Sequence, residues 1–306
     1  MTDQDSNPVS TIPHDRLEAF FSAADHTKLY YQRWKPVQSR GTLVITHGQG
    51  EHSESYHRVV EALAPLHLDI WSWDMRGHGK SEGKRGFANS AEEYYKDYVE
   101  FMEKVIFVDR SSEANQKNAK LPLFLLAHSM GGMIQLLALE RHPRWKITAQ
   151  VCSAPLLGVA VAVPKVKEVA AQVMAQAWPK LTLGNEITND MVTRDVEVMK
   201  EFESDIYRHG RISSGVYVSF NPLMAEVATN AKSIKVPTLF QLPENDPVVS
   251  TPAARAVFKD IGTEEKTLLL YGDGARHEMY NDTHRATVLA DLRRYLQNYI
   301  PTKGSL

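Results

Sequence analysis

Three residues far apart in the chain have types and settings suited to nucleophilic catalysis: Ser129, Asp246 and His277. Ser129 lies in Leu121-Pro-Leu-Phe-Leu-Leu-Ala-His-Ser129-Met-Gly-Gly-Met-Ile-Gln-Leu-Leu-Ala-Leu139. This stretch starts as a short apolar run, as a buried strand does, and continues with Met130, Met133, Ile134 and Leu137 at helical spacing. Small residues at Ala127, Gly131 and Gly132 flank the serine, where the strand and helix backbones must pass close together. The layout predicts a sharp strand-to-helix turn that lifts one serine oxygen clear of a sheet. It has the G-x-S-x-G form of a nucleophile elbow, with Ala127 in the first glycine's place. A serine beside two glycines also occurs in ordinary turns, so the prediction depends on partners found in the right chain order.

A serine hydroxyl is a poor nucleophile until an imidazole takes its proton, and the imidazole needs an acid to fix its tautomer. In a parallel sheet such groups belong at the carboxyl ends of strands. Asp246 follows the apolar run Val236-Pro-Thr-Leu-Phe-Gln-Leu242; Glu244, earlier in the same loop, is the alternative. An isolated Asp-Pro pair would be an ordinary turn. His277 follows the last apolar run, in Tyr271-Gly-Asp-Gly-Ala-Arg-His277, with His284 as its alternative. The order Ser, Asp, His is the one such an elbow requires. An oxyanion intermediate needs N–H donors. The backbone amides of Met130 and of Gln49, in His47-Gly-Gln-Gly, stand where they are wanted. Because these are main-chain groups, replacing the Gln49 side chain alone is expected to do little. His47 itself is expected to be a hydrogen-bonded structural residue.

Strands alternating with helices must position these groups, which predicts an α/β fold with a mostly parallel central sheet covered by helices on both faces. Residues 18–22 and 28–34 form a hairpin, and strands follow at 42–46, 68–74, 121–128, 146–153, 236–242 and 266–271. Helices are expected over 54–66, 90–108, 252–261 and 282–300. The alternation breaks at 159–235, a predicted helical insertion opened by Val166, Val169, Ala170, Val173, Met174 and Ala177 on one helix face. The expected division is a flexible tail at 1–17, a core at 18–158 and 236–306, and a cap at 159–235.

Hydrophobic residues at 43% and charged residues at 24% predict a soluble globular chain. A net charge of −2 argues against a nucleic-acid partner held by bulk positive charge. The single cysteine, Cys152, excludes an intrachain disulfide and fits a reducing compartment. The acidic start lacks the basic and apolar regions of a signal peptide, and no apolar run is long enough to span a bilayer, so a cytoplasmic location is expected. His and acid residues do not fall at metal-ligand spacing, so neither metal nor cofactor is expected, and no obligate protein partner is evident.

With these residues in place, the chain resembles an α/β-hydrolase of the monoacylglycerol lipase and lysophospholipase group from about residue 18 to 300. The resemblance is carried by His47-Gly-Gln-Gly-Glu-His-Ser53, Asp74-Met-Arg-Gly-His-Gly-Lys-Ser-Glu-Gly83 and His128-Ser-Met-Gly-Gly132, together with Asp205 to Gly210, Ile212-Ser213 and Val236-Pro-Thr-Leu239. It implies a serine carboxylester hydrolase acting on the acyl ester of monoacyl lipids, monoacylglycerol or lysophospholipid, through an acyl-enzyme, with the insertion as a cap guiding the acyl chain. The apolar stripe of that cap is a candidate either for ordinary packing onto the core or for peripheral membrane contact. Two positions depart from the group: Gln49 replaces a small residue, and Ile206 follows Asp205 where proline is usual. Lys84, Arg85 and Arg276 are candidates to meet a phosphate headgroup. The same scaffold also serves peptidases, thioesterases and non-catalytic ligand-binding proteins, because a triad does not name its substrate.

Overall fold

The structure is a computed structural model that describes residues 15–112, 115, 119–161, 173–174, 177–178 and 181–302. Among them, eight strands form one sheet: β1 (Asp15–Ser22), β2 (Lys28–Lys35), β3 (Gly41–Thr46), β4 (Leu68–Trp73), β5 (Leu123–His128), β6 (Ala149–Ser153), β9 (Thr238–Pro243) and β10 (Lys266–Tyr271). Their order is β1-β2-β4-β3-β5-β6-β9-β10. Only β2 runs against its neighbours; every pair from β4 across to β10 is parallel. The remaining two strands, β7 (Thr182–Gly184) and β8 (Arg211–Ser213), pair antiparallel in a separate small sheet.

The α/β-hydrolase fold expected from the sequence is the fold observed. Every residue of β3, β4, β5, β6 and β9 is buried, as continuous apolar runs require when helices cover both faces of a sheet. The covering helices are α1 (His57–Leu63), α2 (Ala91–Glu100), α3 (Met130–Arg141), α6 (Thr251–Asp260) and α7 (Arg285–Gln297); α4 (Val196–Ser204) and α5 (Ser214–Asn230) lie in the stretch between β6 and β9. Trp73 stacks on Phe101 with ring centroids 5.4 Å apart and donates its Nε1–H to Thr46 Oγ1 at 3.2 Å. Burying such a side chain stabilises by roughly 1.5–3 kcal/mol.

Several elements differ from expectation for local reasons. The strand β1 begins at Asp15, inside the stretch assigned to the tail, because Asp15 pairs with Lys35. The helix expected over 54–66 is an α-helix only from His57 to Leu63, with a tight 3-10 turn at each end and Pro65 in the second. The helix over 90–108 widens to π geometry at Phe101–Ile106, which keeps Phe101, Met102 and Ile106 all buried. Strand β6 starts at Ala149 rather than 146, and α7 spans Arg285–Gln297 rather than 282–300. The helix expected from Val166 lies outside the described residues, apart from Val173, Met174 and Ala177. Within the same inserted stretch, α5 packs against α2 and α3 despite carrying Pro222.

Candidate active site

Ser129 stands between β5 and α3 with φ +52° and ψ −123°, a conformation a side chain rarely adopts. Such strain costs on the order of 1–3 kcal/mol and persists only where neighbours hold it. They do: the Ser129 N–H donates to Ser153 O at 3.0 Å, and its carbonyl accepts the amides of Gly132 and Leu156 at 2.9 Å. Close approach explains the glycine after Met130, because a Cβ on Gly131 would lie 2.4 Å from the backbone oxygen of His47.

The three residues picked from the sequence meet at the carboxyl edge of the sheet. His277 Nε2 lies 2.9 Å from Ser129 Oγ, and His277 Nδ1 lies 2.8 Å from Asp246 Oδ2. The other Asp246 oxygen accepts the amides of Val248 and Val249 at 2.8 and 3.2 Å. Burial favours a neutral Asp246 carboxyl, but the His277 imidazole and those amides outweigh it and hold its pKa below the usual value. Burial likewise favours a neutral His277, and the charge and hydrogen bond of Asp246 outweigh it, raising the imidazole pKa. The alternatives are elsewhere: His284 accepts from Arg194 at the start of α7, and the Glu244 amide donates to Tyr271 O.

Gln49 and Met130 both border the apolar cavity beside Ser129. His47 has a structural environment. Its Nδ1–H donates to Gly48 O at 2.7 Å and its Nε2 accepts the Met75 amide at 2.9 Å, while burial lowers its pKa to about 3. His128, with its ring 4.6 Å from that of His277, is also lowered to about 3, first by burial and then by the His277 charge.

Two cavities open at Ser129. One, of 370 Å³, has apolar walls that include Leu156, Val159, Leu183, Ile212, Phe220 and Val248. The other, of 210 Å³, is lined by polar groups that include Glu51, Thr188, Asn189, Arg208, His209 and Glu278. Gln49, Ser129, Asn185 and Ile187 border both.

The charged floor of the polar cavity escaped sequence reasoning. Arg208 pairs with Glu278 and reaches Ser55 Oγ at 3.3 Å; Glu278 also accepts from Asn281 at 3.1 Å. Glu51 accepts from the Gly48 amide and from Tyr56 O–H. Burial, reinforced by the Glu278 charge, pushes the Glu51 carboxyl up to about 7. Glu278 directly follows His277 and Glu51 stands in the same short motif as Gln49, so an acid beside each predicted loop was the available signal. Lys84, Arg85 and Arg276 border neither cavity.

The chain is similar to known proteins along most of its length. The Hydrolase_4 family, described as serine aminopeptidase, S33, matches residues 37–284. The chain is 26% identical over 291 residues to a monoacylglycerol lipase of Mycolicibacterium smegmatis, covering 94% of this chain and all of that one. It is 26% identical over 269 residues to the phospholipase YtpA of Bacillus subtilis, covering 87% and 99%. In fold it resembles a soluble variant of monoglyceride lipase from Saccharomyces cerevisiae, solved with a substrate analogue, with a TM-score of 0.81 at 22% identity over 96% and 98% of the two chains. With the family matched over most of its length, the chain belongs to the serine aminopeptidase S33 family of α/β-hydrolases and is a serine hydrolase.

Proposed function

We propose that the protein hydrolyses the acyl ester of monoacyl lipids, with Ser129 as nucleophile, His277 as general base and then acid, and Asp246 orienting the imidazole. Ser129 Oγ attacks the ester carbonyl as His277 Nε2 takes its proton. The amides of Gln49 and Met130 stabilise the oxyanion, and the proton passes to the departing alcohol. Water activated by the same imidazole then releases the fatty acid.

One observation supports this substrate class above the others: an apolar cavity of 370 Å³ and a polar cavity of 210 Å³ meet at Ser129. An alkyl chain belongs in the first and a hydroxylated headgroup in the second. Glu51 and Glu278 face the headgroup side, while Arg208 is engaged by Glu278, so a neutral glycerol fits better there than a phosphate. The family description raises a second reading, aminopeptidase activity. An aminoacyl substrate would put its ammonium in the acyl cavity, however, where the walls are mostly apolar and Glu186 is the one carboxylate among the described lining residues.

Residues 159–235 are proposed as the cap over both cavities. We further propose a cytoplasmic enzyme that meets lipid surfaces peripherally through exposed Trp178, Leu181, Leu183 and Ile206. No described helix is long and apolar enough to cross a membrane. A hydrolysis panel of monoacylglycerols, lysophospholipids and aminoacyl amides, with Ser129→Ala as the blank, tests the assignment. Turnover of monoacylglycerol that disappears in the variant is expected; preferential amide cleavage would replace the lipid reading with the peptidase one.

A further inference from the structure

The Gln49 side chain reaches across the site. Its Nε2–H donates at 2.7 Å to the carbonyl of Arg211, the first residue of β8. Neighbouring contacts run along the same seam: His209 N–H donates to Gly50 O at 2.9 Å, and His52 Nε2 pairs with Asp205 Oδ2 at 2.7 Å. Gly50 has φ +82°, and a Cβ there would stand 2.3 Å from His209 O, so the two backbones are in direct contact. Of the loop residues in this seam, only Gln49 borders both cavities beside Ser129.

The aim of the Gln49 amide is set by the peptide plane it shares with the Gly48 carbonyl. His47 Nδ1–H holds that carbonyl at 2.7 Å, which fixes one end of the plane. The flanking glycines carry no intrinsic restraint of their own and are held by their neighbours, Gly48 N–H by Glu51 and Gly50 O by His209 N–H. The side-chain bond to Arg211 adds a tether at the Gln49 α-carbon itself, between those two held glycines.

We propose that the Gln49 side chain is a positioning residue: held by the Arg211 carbonyl, it aims its own backbone N–H at the oxyanion. This rests on the assignment of Ser129 as nucleophile, and it changes the expectation that the side chain matters little. Removing an oxyanion donor outright costs about 10²–10³ in kcat, so a misaimed donor should cost roughly tenfold.

The test uses the full chain with Gln49→Met, which keeps length but cannot donate, and Gln49→Lys, which can still donate to a carbonyl. Turnover is followed with p-nitrophenyl acetate. Affinity is measured for an alkylboronic acid, whose adduct with the serine places an oxygen in the oxyanion position, and for a glycerol alkyl ether, which cannot form one. The expected result is about tenfold lower kcat and tenfold weaker boronate binding in Gln49→Met, with KM and ether affinity unchanged and most of the loss recovered in Gln49→Lys. A Gln49→Met variant as active as the parent, equal losses for boronate and ether, or a Lys variant as slow as the Met one would overturn the proposal. Failure of the parent protein to label at Ser129 with a fluorophosphonate would instead remove the nucleophile assignment beneath it.

Discussion

A Cβ on Gly131 would sit 2.4 Å from the carbonyl oxygen of His47 and 2.7 Å from that of Thr46, so the first turn of α3 rests on the carboxyl end of β3 with no room for a side chain. The contact joins the serine turn to the loop that carries Gln49. Gly131→Ala must push the two apart, and overpacking of this kind costs about 1–3 kcal/mol. Turnover should fall further than stability, because the shift separates Ser129 from the Gln49 amide. Urea unfolding and the rate of fluorophosphonate labelling measure the two effects. Parental values for both would mean that the approach does not constrain the site.

In the proposed mechanism the His277 imidazole has to be neutral to take the serine proton, and Asp246 raises its pKa. Activity is therefore lost as pH falls, with a midpoint for kcat/KM above the ordinary imidazole value of about 6.5. In Asp246→Asn the raising charge is gone, so the acid limb moves to lower pH. The residual kcat drops by about 10⁴ because the tautomer is no longer fixed. A pH profile of both proteins on one soluble ester checks the pair of effects. An acid limb that stays in place in the variant would count against Asp246 as the partner that sets the imidazole.

Phe220 and Leu183 wall the apolar cavity and border no part of the polar one. Shortening Phe220 to alanine should weaken kcat/KM for long-chain monoacylglycerols by about tenfold, since each buried methylene is worth ~0.8 kcal/mol and about two lose contact. An acetyl ester is too short to use that wall and should change little. Equal losses on the two substrates would place the acyl chain elsewhere.

Much of this arrangement was legible in the sequence because the signals are local. Central strands buried on both faces leave uninterrupted apolar runs, and the run at 42–46 falls within β3, Gly41–Thr46, every residue of which is buried. The serine turn shows itself through small residues that only a close backbone approach requires. Other features leave no periodic trace. The π segment at Phe101–Ile106 is made of ordinary helix residues with no glycine or proline to mark it, so nothing in the local composition announces the wider turn. The pairing of Arg208 with Glu278 and of Gln49 with Arg211 joins residues far apart in the chain, and each looks like an ordinary polar surface residue until the fold brings them together.

Glu51 gives a prediction about stability. Its carboxyl is fully buried and its pKa is pushed up to about 7 from an ordinary 4.5, first by burial and then by the Glu278 charge. The folded protein therefore binds a proton that the unfolded chain releases near 4.5. Stability contributed by this group is fully present below that value and falls as pH rises toward about 7. Glu51→Gln keeps an oxygen to accept from the Gly48 amide and Tyr56 O–H but cannot ionise. The raised imidazole of His277 also loses stability with rising pH, and because the Glu51 charge helps to raise it, the variant loses less of this contribution too, which adds to the same difference. Between pH 5 and pH 8 the parent should lose several degrees of Tm more than the variant, as ~1 kcal/mol moves a large domain by roughly 2–4 °C. Thermal melts at the two pH values decide it: parallel shifts in parent and variant would show that Glu51 does not carry the proton.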